Sequence, residues 1–334
     1  MISHYGFSQQ PPQELKEKGH INTNKFRQMY QEFSSPNMFR TAAGAPGPAY
    51  YQQQADYKMN IELDDRNKRI YGSETITYTN NSPDHLEYLW VQLDQNIREK
   101  DSPSLMINEF STRPAYRPSG FVKDFLDKPF DGGFNIEYVR DQDGKPLSHI
   151  INQTMMRIDL PNVLKSGEKV SFSIKWWYNI QDHVNQDGRS GYETFKSDGN
   201  RSYIIAQFFP RMAVYNEVEG WQNYQFWGDG EFALPFGNYE VKITVPADHI
   251  LDATGELQNR KDIFSKEMLK RFNEAKKTYD KPVLIVTQSE AEEAEKGFSN
   301  NKKTWHFKAK NVRDFAFASS RKFIWDMMAV KIGD

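Results

Sequence analysis

The chain contains no cysteine, which excludes disulfides, Cys-ligated zinc and a thiol nucleophile. It also lacks His-Glu-x-x-His. None of its seven histidines stands four residues from another, the spacing that sets two imidazoles on one helix face for zinc. A Gly-x-Ser-x-Gly elbow and a phosphate-cradling Gly-x-x-x-x-Gly-Lys loop are absent as well. No apolar run is long enough to span a bilayer, and no basic-then-apolar leader opens the sequence. Charge is balanced, with 43 basic and 45 acidic residues, so nothing favours a nucleic-acid partner, which would call for a basic excess.

What the 334 residues do hold is aromatic: 23 Phe, 17 Tyr and 7 Trp, side chains that favour strands and burial. Residues 1–54 are rich in Gln, Pro and Gly. Phe26, Tyr30 and Phe33 recur there at helical spacing, which predicts one short helix in an otherwise irregular arm. From Ala55 the pattern changes to period two. Ala55, Tyr57, Met59, Ile61 and Leu63 point one way, and Asp56, Lys58, Asn60 and Glu62 the other. The stretches IYGSETITYT and LEYLWVQL follow across turns, which predicts an antiparallel meander. Residues 96–133 read as a long irregular loop. Further strands are predicted at FNIEYV, MMRIDL, VSFSIKWWY, YEVKITV, PVLIVT and TWHFKA, and a helix over 262–279. The segment AEEAEKG reads as acidic and solvated, and the final NVRDFAFASSRKFIWDMM as a strand entering a helix. The sum is a mainly β fold, a large antiparallel saddle-like or sandwich domain over 55–318 with a short helical insertion. Residues 319–334 read as the start of a linker into a further, catalytic domain.

Few residues single themselves out for chemistry. Asp141-Gln142-Asp143-Gly144 has the start of a calcium loop, but Asn152 stands where the bidentate Glu belongs, and turn chemistry accounts for the Asp-Gly pairs. Trp221, Tyr224, Phe226 and Trp227, with Asp229 and Glu231 beside them, form an aromatic-acidic segment that fits either a ligand-facing rim or a plug at the end of a sheet. The first reading would make the chain a carbohydrate- or peptide-binding β-sandwich module. Carboxylates are too many and too scattered for their spacing to mark a glycosidase pair.

Between Tyr203 and Leu257 a buried-looking strand runs into a Pro-Arg corner, QFFPR. An aromatic loop, a Gly-rich turn and the strand GNYEVKITVP come after it. That order resembles the amino-terminal β-domain of the aminopeptidase N family of zinc metallopeptidases (gluzincins), in its bacterial form. Other pieces continue the likeness in sequence: GHINTNKFRQMYQEF, YYQQQADYKMNIELDD, GSETITYTNNSPDHLEYLWVQLDQN, LKSGEKVSFSIKWWY, IIAQFFPRMAVYNEVEGW, DATGEL and WHFKAKNVRDFAFASS. Together they cover nearly all of residues 20–326.

The resemblance implies a protein that hydrolyses peptides from the amino end with a zinc-activated water. The metal would be held by a separate, mostly helical catalytic domain. This chain, lacking that motif, is expected to bind no metal and cleave nothing alone. Its implied role is to support the zinc domain and line one side of the peptide cleft. Family members commonly lend a Gln or Glu from this domain to the substrate amine. Gln207 is the nearest match, although Phe209 stands where better-known members carry a second Gln or Glu. The resemblance further implies an exported, periplasmic or cell-surface location.

Overall fold

The computed structural model describes residues 36–104, 117–118, 130–186, 188, 190–228, 230 and 232–333. The helix predicted around Phe26 to Phe33 lies outside these residues, as do Asp187, Asp229, Glu231 and most of the loop predicted over 96–133.

The alternating segments become one seven-stranded sheet. It comprises β1 (Gln54–Asp64), β2 (Arg69–Thr79), β4 (Asn135–Asp141), β7 (Lys169–Asn179), β13 (Gly237–Pro246), β15 (Glu256–Leu257) and β17 (Lys302–Val312). Its order is β15-β17-β13-β1-β2-β7-β4. β1 and β2 form the hairpin that their alternation predicts, with Tyr57 opposite Ile76. β1 runs parallel to β13, Tyr57 beside Tyr239, so the otherwise antiparallel sheet carries one parallel seam. One face of this sheet is wet and bonded across strands by hydroxyl pairs, Thr77 with Ser171 at 2.8 Å and Thr244 with Thr304 at 2.9 Å. The other face supplies the core, in which Trp176, Trp305, Phe172, Ile174 and Val241 are fully buried.

The predicted meander does not extend to its third strand. β3 (Leu86–Gln92) leaves β2 and joins a second sheet with β5 (His149–Asn152), β6 (Met155–Leu164) and β10 (Arg211–Met212), in the order β10-β3-β6-β5. Its apolar residues on both faces fit an interior strand of that sheet. β2 takes β7 as its other neighbour. A third sheet, ordered β14-β18-β9-β8, unites β8 (Gly191–Thr194), β9 (Arg201–Ile205), β14 (Ile250–Ala253) and β18 (Phe317–Ser320). Short pairs complete the strands: β11 (Tyr215–Asn216) with β12 (Gly220–Trp221), and β16 (Val283–Val286) with β19 (Trp325–Met327). One continuous buried cluster joins all these parts. The described part of the arm packs on the body through the Arg40–Glu217 ion pair, and within the arm Phe39 meets Tyr51 in a T-shaped contact.

Helices are few. After α1 (His183–Gln186), the predicted helix at 262–279 is two pieces, α2 (Arg260–Ile263) and α3 (Lys266–Ala275). Ser265 breaks them because its hydroxyl accepts from the Met268 amide, starting a new helix. AEEAEKG is largely solvated, as its composition predicts, and α4 (Gln288–Ala294) covers its first four residues. A capping box between Thr287 and Glu290 starts α4, and Arg271 of α3 holds Glu290 at 2.6 Å. The terminal segment forms β18 and then β19, with no helix between residues 317 and 333. Trp325 on β19 packs edge-on against Phe264 at 5.6 Å, and that aromatic contact favours an extended strand here.

Candidate functional site: the Gln207 corner

β9 ends at Ile205, and the chain turns through Ala206, Gln207, Phe208, Phe209 and Pro210 into β10. Four backbone groups of this corner are held by side chains from elsewhere. The Ser190 hydroxyl accepts from the Ala206 amide at 3.1 Å and lies 3.2 Å from the Ala206 carbonyl. Gln95 donates from Nε2 to the Gln207 carbonyl at 2.9 Å. Trp176 donates from Nε1 to the Phe208 carbonyl at 3.1 Å. Phe208 and Phe209 are fully buried and meet at 5.0 Å, with Phe209 edge-on to Tyr57 and Phe208 to Phe317. Between these anchors Gln207 stands at φ +53°, in the left-handed region. There a non-glycine residue persists only where its surroundings fix it. Its side chain is partly exposed. The sequence marked Gln207 only by family position, and nothing local in it signals the backbone geometry.

Arg211, which follows the corner, is buried. It grips Asp94 with two donors at 2.8 and 3.1 Å and Asp314 with a third at 2.7 Å. Burial opposes its charge, but Asp94 and Asp314 together carry its pKa above the ordinary arginine value. The network ties β10 to the 3-10 turn Asp94–Arg98 and to the entry of β18, and holds the corner rigidly.

The aromatic-acidic segment divides. Trp221 is buried against Tyr215 and Tyr78 at ring separations of 5.2 and 6.0 Å, so it plugs the fold. Tyr224 is exposed, and Phe226 and Trp227 are partly so. Gln225 fastens this stretch to the β5–β6 turn: its Oε1 accepts from the Thr154 amide and hydroxyl at 2.9 and 2.7 Å. Asn96 reaches the same turn, donating to the Gln153 carbonyl at 2.8 Å. Amide side chains therefore stitch the four loops around Gln207 together.

Among the described residues no group of three or more His, Asp or Glu stands close enough to hold a metal ion, and the donors present do not fit zinc. His306 sits on β17 bonded to Glu240 at 3.0 Å. Asp141 accepts from the amides of Asp143 and Lys145, an Asx turn in the place of a calcium loop.

A second buried polar cluster went unseen in the sequence. His249 Nδ1 lies 2.9 Å from the Ser319 hydroxyl, and its Nε2 4.0 Å from Asp65. The trio has the membership of a hydrolytic triad, but its environment disqualifies it. Ser319 and His249 are fully buried. Burial, with Arg321 nearby, drives the His249 pKa down to about 4. Arg321 and Tyr203 both occupy Asp65, at 2.8 and 2.7 Å. The cluster instead locks the β1–β2 turn to β9 and β18.

Comparison with known proteins gives structural matches only. No protein-family model matches the chain, and no curated protein matches its sequence. Among solved structures, the M1 zinc metallopeptidase from Deinococcus radiodurans matches at 11% identity over 82% of this chain and 43% of that one, with a TM-score of 0.40. A mutant of that enzyme matches at 10% identity, 83% and 44% coverage and a TM-score of 0.41. The same mutant bound to a Tyr-Ser-Ala substrate gives 11%, 80%, 42% and 0.40. The chain thus spans less than half the length of these structures.

Proposed function

We propose that this chain is the non-catalytic amino-terminal β-domain of an aminopeptidase N-type zinc metallopeptidase, and that Gln207 faces the amine end of a bound peptide. In this reading residues 55–318 form the domain, 1–54 an arm and 319–334 a link to the zinc domain. The zinc domain is the partner, and it supplies the metal that activates water. This chain supplies orientation. The observation that carries the reading is the corner itself: the QFFPR segment, placed by family order, is also where a partly exposed glutamine is held in a left-handed conformation by Gln95 and Trp176. A neutral hydrogen bond from such a side chain contributes about 0.5–1.5 kcal/mol, enough to orient a peptide and far too little to cleave one.

The rival reading, a carbohydrate-binding sandwich, wants several open rings on one face. Tyr138 and Trp177 do share the wet face, but Arg140 and Arg69 lie over them at 4.4 and 4.6 Å, which blocks sugar stacking. The two readings separate by calorimetry with a tripeptide, its N-acetylated form and a cello-oligosaccharide. Binding of the free-amine peptide alone, weakened in Gln207→Ala, supports the proposal. Sugar binding, or amide hydrolysis by the purified chain, overturns it.

A further inference from the structure

Arg98, the last residue of the 3-10 turn Asp94–Arg98, holds a charge that little among the described residues meets. Its five donors make one hydrogen bond among the described residues, to Gln95 Oε1 at a long 3.4 Å. No carboxylate there lies within ion-pair distance. Asp94, four residues earlier in the same turn, is taken by Arg211. Burial pulls the Arg98 pKa down, while Tyr178 and Asp94 pull weakly the other way.

The fold makes room for this guanidinium. Gly188 stands at φ +128°, and a Cβ there would meet Arg98 Nη2 at 2.8 Å. Gln181 Nε2, 3.3 Å from the same point, donates to the Ser190 carbonyl at 2.5 Å. Ser190 in turn holds Ala206, and Gln95 holds Gln207. Arg98 therefore belongs to the same corner and is partly exposed on it. A desolvated guanidinium with one long hydrogen bond among the described residues is costly, and its planar fork matches a carboxylate. Glu99 faces the opposite way in this balance: burial, Asp131 and Asp101 push its pKa up to about 7, so its own negative charge is reduced at and below neutrality.

We infer that Arg98 receives a carboxylate of the peptide bound at the Gln207 corner, an inference that rests on the peptide-binding reading above. Two sources offer that chemistry, the free carboxyl end of a short peptide and an acidic side chain. They are separated with three probes: Ala-Ala-Ala, its carboxy-terminal amide, and Ala-Glu-Ala amide. Binding is measured at pH 6 by calorimetry and by the side-chain Nε–H resonance of Arg98. The expected result is at least tenfold tighter binding of one carboxylate-bearing peptide over Ala-Ala-Ala amide, with the gap lost in Arg98→Gln and reduced in Arg98→Lys. The favoured peptide identifies the source. Equal affinities, or a gap that survives Arg98→Gln, overturn the role of Arg98 and leave peptide binding intact. No binding of any probe overturns both. Should Arg98→Gln fail to fold, the resonance in the unaltered protein decides. Movement with carboxylate peptides alone supports the assignment, and any other pattern refutes it.

Discussion

Gln95 donates to the backbone carbonyl of Gln207 while Gln207 itself stands at φ +53°. A side chain from the 3-10 turn Asp94–Arg98 thus fixes a left-handed backbone conformation in another loop. Strain kept at a partly exposed position points to a side chain that matters more than the stability it costs.

Replacing Gln207 by glycine separates these two quantities. Glycine adopts the left-handed region freely, so Gln207→Gly is expected to gain up to about 1 kcal/mol of stability. Peptide affinity is expected to fall at the same time. Urea denaturation and calorimetry check both, and a destabilised variant with unchanged affinity contradicts the role given to the side chain.

Glu74 gives a pH dependence. It lies on the core face of β2, buried, with both carboxylate oxygens unpartnered, and burial raises its pKa well above the ordinary value. The folded state therefore keeps a proton that the unfolded chain releases near pH 4.5. Stability from this group is full below that pH and is lost as pH rises. Glu74→Gln should flatten the decline toward alkaline pH, measured as denaturation midpoints from pH 5 to 9. An unchanged slope would show that Glu74 is not the source.

His249 acts in the opposite direction. Its pKa is lowered to about 4, so the unfolded chain takes up the proton first. Its contribution is present above pH 6.5 and lost as pH falls toward 4, on the order of 3 kcal/mol at most. Glu290, held by Arg271 down to about 2, loses its contribution only below about pH 4.5, mostly in more acid solution. Histidine resonances followed by NMR test the assignment. A His249 ring titrating near 6.5 would remove it.

Gly72 tests the core. A Cβ at this position would meet Trp176 Cζ2 at 2.3 Å, and Trp176 is itself fixed through its Nε1 bond to Phe208. Gly72→Ala should cost roughly 1–3 kcal/mol through overpacking and weaken peptide binding by shifting the Gln207 corner. Thermal unfolding that matches the unaltered protein would contradict this.

Legibility varied with the range of the interactions. β1, β2, β7, β13 and β17 were readable because alternation is a local signal, and one wet face makes it clean. The partner of β3 was not readable. Its pattern says that it is interior, but β6 and β10 lie far along the chain. α4 carried its own signal in the Thr287–Glu290 spacing, which the acidic composition of AEEAEKG concealed. The sequence of β19 suits a helix as well as a strand, and the aromatic partner that decides between them, Phe264, is remote. At the corner, family order pointed to Gln207, whereas Gln95, Arg98 and Ser190 become neighbours of it only after three sheets have assembled.

The parallel seam has a consequence for biogenesis. Tyr57 waits for Tyr239, so the first hairpin leaves the ribosome with an open flank for on the order of ten seconds of translation. Lys58 and Glu62, pointing to its wet side, are then the charges that discourage another nascent chain from adding to it.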